Sequence, residues 1–134
     1  MPVVRYSTPT VDAQTDTVCA QLNGGFLQIY EGTQPDDGDQ TSDPGVLLVE
    51  LQFGDPAFGA SANGVAWAMP IGPAMATNTG TAAWLRTLAA DHATVVFDGD
   101  ISTSGAVLNL DRTLIQQGAN VFINDFAYTS PKTT

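Results

Sequence analysis

Strict alternation in one short segment constrains this chain more than any other feature. In Val46-Leu47-Leu48-Val49-Glu50-Leu51-Gln52-Phe53, the residues Leu47, Val49, Leu51 and Phe53 fall on one side of an extended backbone, and Glu50 and Gln52 on the other. A period of two suits a strand with one face buried and does not fit a helix, whose apolar stripe repeats every 3.6 residues. Further short apolar runs recur between glycine, proline and Asx turns. They cover residues 25–31, short or edge segments within 57–76, then 80–88, 94–98 with a stop at Gly99, 106–110 and 121–128. A turn at 89–93 makes 80–88 and 94–98 a hairpin.

One segment breaks the pattern. Val11, Val18, Cys19 and Leu22 fall at helical spacings, Thr10 is placed to cap the start, and Asn23-Gly24-Gly25 to end it. Short strands every 8 to 15 residues with no βα alternation make the expected fold mainly β: an antiparallel β-sandwich or jelly-roll-like single domain with one short N-terminal helix. Residues 1–10 read as an extended arm, 11–128 as the domain and 129–134 as a tail.

Composition narrows the partners. Fourteen Asp and Glu against Arg5, Arg86, Arg112 and Lys132 give a formal charge of −10. That field repels phosphate backbones and anionic lipid surfaces, so neither direct nucleic-acid binding nor membrane binding is expected. No apolar run approaches the roughly 20 residues of a spanning helix, and the start, MPVVRYSTPTVD, has no apolar signal core, so export is not expected. Charged residues make up only 13% of the chain, about half the usual share, leaving Thr, Ser, Asn and Gln to cover the surface.

Candidate chemistry is sparse, and the chain reads as a non-enzyme with no catalytic residues and no cofactor. Cys19 stands alone, so it forms no internal disulfide, and it reads as a small buried apolar residue. His92 beside Asp91 is the one candidate acid–base dyad, but adjacent residues in a turn usually face different ways, and an exposed turn histidine is expected. Asp36, Asp37, Asp39 and Asp43 in the wet loop 33–45 are weak calcium candidates that lack the glycine and glutamate spacing of a helix-flanked calcium loop. Asp98-Gly99-Asp100 reads as turn chemistry, and Glu31 and Glu50 as outward-facing strand residues. Of the two tryptophans, Trp84 sits in a strand pattern and is expected in the core. Trp67, in the proline-rich middle, is the interface candidate.

The string Leu22-Asn23-Gly24-Gly25-Phe26-Leu27-Gln28-Ile29-Tyr30-Glu31-Gly32-Thr33-Gln34-Pro35 resembles a signature of small structural proteins encoded by tailed phages and prophages. Leu51-Gln52-Phe53-Gly54, Pro56-Ala57-Phe58, Gly80-Thr81-Ala82-Ala83-Trp84-Leu85-Arg86, Asp98-Gly99 and Ser104-Gly105-Ala106-Val107-Leu108-Asn109-Leu110 before Gly118-Ala119 extend the likeness over roughly residues 20–120. The matching positions are glycines and strand residues, which speak to fold more than to task. The resemblance implies a virion component, a capsid cement or decoration protein made in the bacterial cytoplasm. It would bind the major capsid protein and copies of itself on the head surface. A tail, baseplate or glycan-binding host-recognition module is the alternative, motivated by Trp67.

Overall fold

β1 (Phe26–Glu31) is the strand on which the sheet is built. It is entered through Gly25, where a Cβ would lie 2.2 Å from the carbonyl oxygen of Leu88, so only glycine lets the chain in beside its neighbour. β1 pairs antiparallel with β2 (Val46–Gln52) on one side and β6 (Trp84–Leu88) on the other. β6 pairs antiparallel with β7 (Val95–Ser102), and β7 carries β8 (Leu108–Asn109) in parallel, so the strand order is β2-β1-β6-β7-β8. The computed structural model describes residues 5–35, 45–123 and 126–129.

Among the described residues, three two-stranded antiparallel ribbons accompany this sheet. β3 (Val65–Trp67) pairs with β11 (Ala127–Thr129), β4 (Ala74–Met75) with β10 (Asn120–Val121), and β5 (Gly80–Thr81) with β9 (Leu114–Ile115). The helix α1 (Thr8–Ala20) precedes them all. The architecture is mainly β, rich in antiparallel pairs, with one short N-terminal helix, as alternation and turn spacing predict. Sheet and ribbons share a core: Leu27, Ile29, Val49, Leu51 and Leu85 from the sheet meet Ala66, Ile115 and Phe126 from the ribbon segments and Cys19 and Leu22 from the helical end.

Several local expectations change. The helix begins at Thr8 and is capped by Ser7, whose Oγ accepts from the Thr10 N–H at 3.4 Å, so Thr10 lies inside the helix and part of the expected arm is helical. Pro9 explains the earlier start, because its fixed φ and missing N–H fit a first turn. The helix ends at Ala20 with Gln21 at the cap, ahead of the expected Asn-Gly-Gly stop. Val11, Thr15 and Cys19 form its buried stripe. Asp12 and Asp16 tie the other side down, accepting from the N–H groups of Gly64 at 2.7 Å and Ser61 at 3.0 Å.

In β2 the register shifts opposite Ile29 and Tyr30, which pair with Val49 and Leu47. The bulge places Leu48 fully in the core and leaves Leu47 half-buried, so the alternation fails at that end. The Thr77 N–H and Asn78 Nδ2 satisfy the carbonyls of Leu48 and Leu47, each at 2.8 Å. The run 80–88 splits at Ala82-Ala83, which donate to Thr113 O and Tyr30 O respectively, so the chain changes partners between β5 and β6. β7 runs through Gly99 without stopping there. Val107 packs over that glycine, and a Cβ would fall 2.9 Å from Val107 Cγ1. Gly99 therefore makes room for a crossing chain and does not end the strand. Only Leu108 and Asn109 of the run 106–110 join a ladder, and that ladder is parallel, against the antiparallel expectation.

Candidate functional site

β6 is buried on both faces along its whole length, which requires its second face to be covered as well as its core face. On that second face the register aligns Gln28 with Glu50 and Arg86, Arg86 with Asp98, and Tyr30 with Trp84. Arg86 makes a two-pronged ion pair with Asp98, Nε to Oδ1 at 2.8 Å and Nη2 to Oδ2 at 3.0 Å, with both side chains under a tenth exposed. The hydrogen bond to Asp98 raises the Arg86 pKa further and outweighs the opposing effect of burial. The guanidinium lies 5.3 Å from the centre of the Trp84 ring, which stacks on Tyr30 at 4.6 Å and 15°.

Next to this stack runs a chain of side-chain hydrogen bonds. Tyr30 OH donates to Gln28 Oε1 at 2.7 Å, Gln28 Nε2 donates to Glu50 Oε2 at 2.7 Å, and His92 Nε2 meets the same Glu50 oxygen at 2.7 Å. His92 also packs edge-on against Phe26, ring centres 4.3 Å apart. Glu50 therefore does more than face outward. It ties the hairpin turn to the far side of β1, a contact across 42 residues that adjacency in sequence does not reveal. The polar groups of this face are committed to one another, and the arrangement ties β2, β1, β6 and β7 together in register. The indole N–H of Trp84 is buried and has no hydrogen-bond partner among the described residues.

The sequence candidates fall into place around it. Asp91 does not orient His92. Its Oδ1 accepts from the N–H groups of Ala93 and Thr94 at 2.9 and 2.8 Å, and its Oδ2 from the Thr94 hydroxyl. These bonds, the Thr94 hydroxyl first, hold the Asp91 pKa down at about 2. His92 sits at φ 62° in the same turn with its side chain 53% exposed, so the two residues do not form the dyad. Cys19 is buried, and burial, helped by Asp16, pushes its thiol up to about 11. Asp98 and Asp100 are strand residues and not turn residues: Asp98 holds Arg86, and Asp100 Oδ1 accepts from the Val107 N–H at 2.8 Å. Glu31 is exposed at the end of β1. Asp36, Asp37, Asp39 and Asp43 lie outside the described residues. Among the described residues no group of three or more His, Cys, Asp or Glu converges as a metal site.

The outward chemistry lies elsewhere, on the ribbons. Trp84 is fully buried, whereas Trp67 at the end of β3 is 60% exposed. Met69 beyond β3, Met75 of β4, Leu114 of β9 and Phe122 just after β10 are also large, apolar and exposed. Pairing of Asn120 with Met75 puts Phe122 and Met75 on one side of their ribbon. Phe122 and Leu114 line a cavity of about 290 Å³ with Ile115 and Val121. Trp67 lines a larger open groove, of about 810 Å³, with Phe97, Val107, Tyr128, Asp98, Asp100 and Asp111 among the residues around it.

With this geometry in hand, comparison with known proteins finds no matching family model, curated protein or solved structure. Among the described residues no helix is long and apolar enough to cross a membrane.

Proposed function

We propose that this chain is a non-enzymatic structural protein of a tailed-phage particle, a capsid cement or decoration protein that binds across subunits of the major capsid protein. The observation that carries the assembly reading is the set of exposed side chains Trp67, Met69, Met75, Leu114 and Phe122 on or next to short ribbons that share a core with the five-stranded sheet. Large apolar side chains left in water on a rigid support are what a protein–protein contact uses. The sequence resemblance over residues 20–120 supplies the phage context. On a particle, a modest contact is repeated by symmetry, so a small domain adds appreciable buried area to the shell. A charge of −10 keeps such a coat from adhering to nucleic acid.

Mass spectrometry of purified particles tests the reading. Copy numbers comparable to the major capsid protein are expected, and absence from the particle refutes it. A second reading, a tail or baseplate module that binds host glycans, is favoured by the Trp67 groove, where an exposed indole stands near Asn109 and Asp111. It predicts a few copies per virion, at the tail. Labelled antibodies that coat heads and leave tails bare exclude it.

A further inference from the structure

A slot for one more strand lies between β7 and β11. β8 already occupies its far end. It pairs in parallel with β7 at Ile101↔Leu108 and Ser102↔Asn109, and Leu108 forms an antiparallel bridge with Phe126, the residue before β11. β8 is thus a spacer one strand wide, holding β7 and the start of β11 two inter-strand steps apart, about 9–10 Å. Ahead of Leu108 the chain leaves the ladder, with Val107 crossing over Gly99. β11 runs antiparallel to β7, so Ala127–Thr129 lies across from residues 98–100, and among the described residues no strand lies between them. The Phe97 and Tyr128 rings meet across the gap, centres 5.0 Å apart.

Backbone direction decides what this gap offers. The N–H groups of Phe97 and Ile101 point toward β6, at Thr87 Oγ1 and Ala83 O. Alternation along β7 therefore turns the N–H groups of Asp98 and Asp100 the other way, into the slot. On the opposite wall the Phe126 carbonyl accepts from Ala68 on the β3 side, so Ala127 and Thr129 turn their peptide groups into the slot as well. Asp98, Asp100, Ala127 and Thr129 all line the groove. Among the described residues these two edges have no ladder partner beyond the bridges to β8, and facing each other at one-strand spacing they form a template for strand addition.

The walls select the occupant. Trp67 and Val107 offer apolar contact, Asp100 and Asp111 offer carboxylates, and among the described residues neither Lys nor Arg lines the groove, while the charge of Asp98 is already balanced by Arg86. We propose that the slot binds an extended, basic segment of a different partner chain, which adds a strand between β7 and β11. One of its Lys or Arg side chains reaches Asp100 or Asp111, and an apolar one rests on Trp67. A second copy of this chain is a poor occupant, because each copy carries a charge of −10. The chemistry of the slot is the same whether or not the partner belongs to a phage head, so a failed strand addition and a failed particle assignment are separate results.

The test titrates the full ¹⁵N-labelled chain with a capped heptapeptide of alternating valine and lysine, and with its valine–glutamate counterpart. The lysine peptide is expected to shift the amides of Asp98, Asp100, Ala127 and Thr129, slow their hydrogen exchange and change Trp67 fluorescence, more weakly at high salt. Asp111→Lys is expected to weaken binding several-fold. Thr129→Pro, which removes one N–H facing the slot and none facing β3, is expected to weaken it with the circular dichroism spectrum unchanged. Equal binding of both peptides, shifts confined to the free edge of β2, or no shift with either overturns the proposal. So does a slot protected without peptide in a concentration-dependent dimer, or one perturbed by oligosaccharides and not by the lysine peptide.

Discussion

The five-stranded sheet and the ribbons are made from the same kinds of residue and treat them in opposite ways. In the sheet, Trp84, Arg86 and Leu88 on one side of β6 and Leu85 and Thr87 on the other are all buried. In the ribbons, Trp67, Met75 and Leu114 stand in water beside Ala66, Ala74 and Ile115, which turn inward. The difference is one of partners. A strand with neighbours on both edges has satisfied peptides, and β6 has both faces covered as well, while a ribbon strand of two or three residues has one ladder partner and one exposed face. The sheet thus holds the fold and the ribbons hold the surface available for contact, a division that substitutions in each region can test.

The largest effect belongs to the buried ion pair. Arg86→Ala leaves Asp98 charged and enclosed, and is expected to lower stability by about 3–5 kcal/mol. Replacing both partners, as Arg86→Met with Asp98→Leu, is expected to recover most of that loss, because the penalty comes from the orphaned charge. Urea unfolding of the single and double variants measures both. A single variant that loses under 1 kcal/mol would show that water reaches the pair and that the sheet is less closed than its geometry implies.

Trp84→Phe probes the same face more gently. It keeps a ring on Tyr30 and removes the indole N–H that has no partner among the described residues. Loss of packing and relief of the unpaired donor act in opposite directions, so the net cost is expected to stay below about 2 kcal/mol, short of the 3–5 kcal/mol of a full aromatic truncation. A cost in the larger range would mean that the indole N–H is hydrogen-bonded after all.

How much of this division was legible beforehand follows from how local each feature is. The alternation of 46–53 gave β2 its place because a period of two is written in neighbouring residues. The bulge at Leu48 was hidden because its carbonyl partner comes from Thr77, 29 residues away. Arg86 and Asp98 carried a usable signal: they stand almost equally far from the 89–93 turn, and a lone arginine in an apolar run needs an anion opposite. The expectation that Asp98-Gly99-Asp100 was a turn obscured it. The Glu50–His92 contact and the slot beside Trp67 had no local signal, since each depends on segments far apart in the chain. Trp67 and Trp84 were separable because proline marks the first as an edge and a strand pattern marks the second as interior.

The hairpin turn supplies a pH test of an exposed element. The folded pKa of Asp91, about 2, is lower than its ordinary value of 3.8, so the ionised carboxylate is the form the fold favours. Its contribution is therefore complete above the ordinary value and is lost as the pH falls from about 4 toward 2. The side chain is fully exposed, so the effect is local. In an NMR titration the amides of Ala93 and Thr94 should follow Asp91 at about pH 2, and Asp91→Asn should abolish that titration with the core signals unchanged. Cys19 gives the matching interior probe. With its thiol raised to about 11 it should resist alkylation at pH 8 in the folded chain and react once urea opens the core.

The smallest expected change in stability is the most informative about function. Phe122→Ser and Met75→Ser remove side chains that are 61% and 63% exposed, so each should move the unfolding free energy by no more than about 0.5 kcal/mol. If the ribbons exist for contact, the same substitutions should weaken attachment to particles in a sedimentation assay while the circular dichroism spectrum stays unchanged. Loss of more than 1 kcal/mol would show that the ribbon side chains support the fold, making their exposure incidental. Unchanged stability together with unchanged attachment would place the contact surface elsewhere, with the Trp67 groove the next region to vary. Because the two ribbon faces carry different chemistry, apolar at Met75 and Phe122 and mixed aromatic–acidic at Trp67, comparing Phe122→Ser with Trp67→Ala separates them. Whichever substitution releases the protein from its partner at constant stability identifies the ribbon that makes the contact.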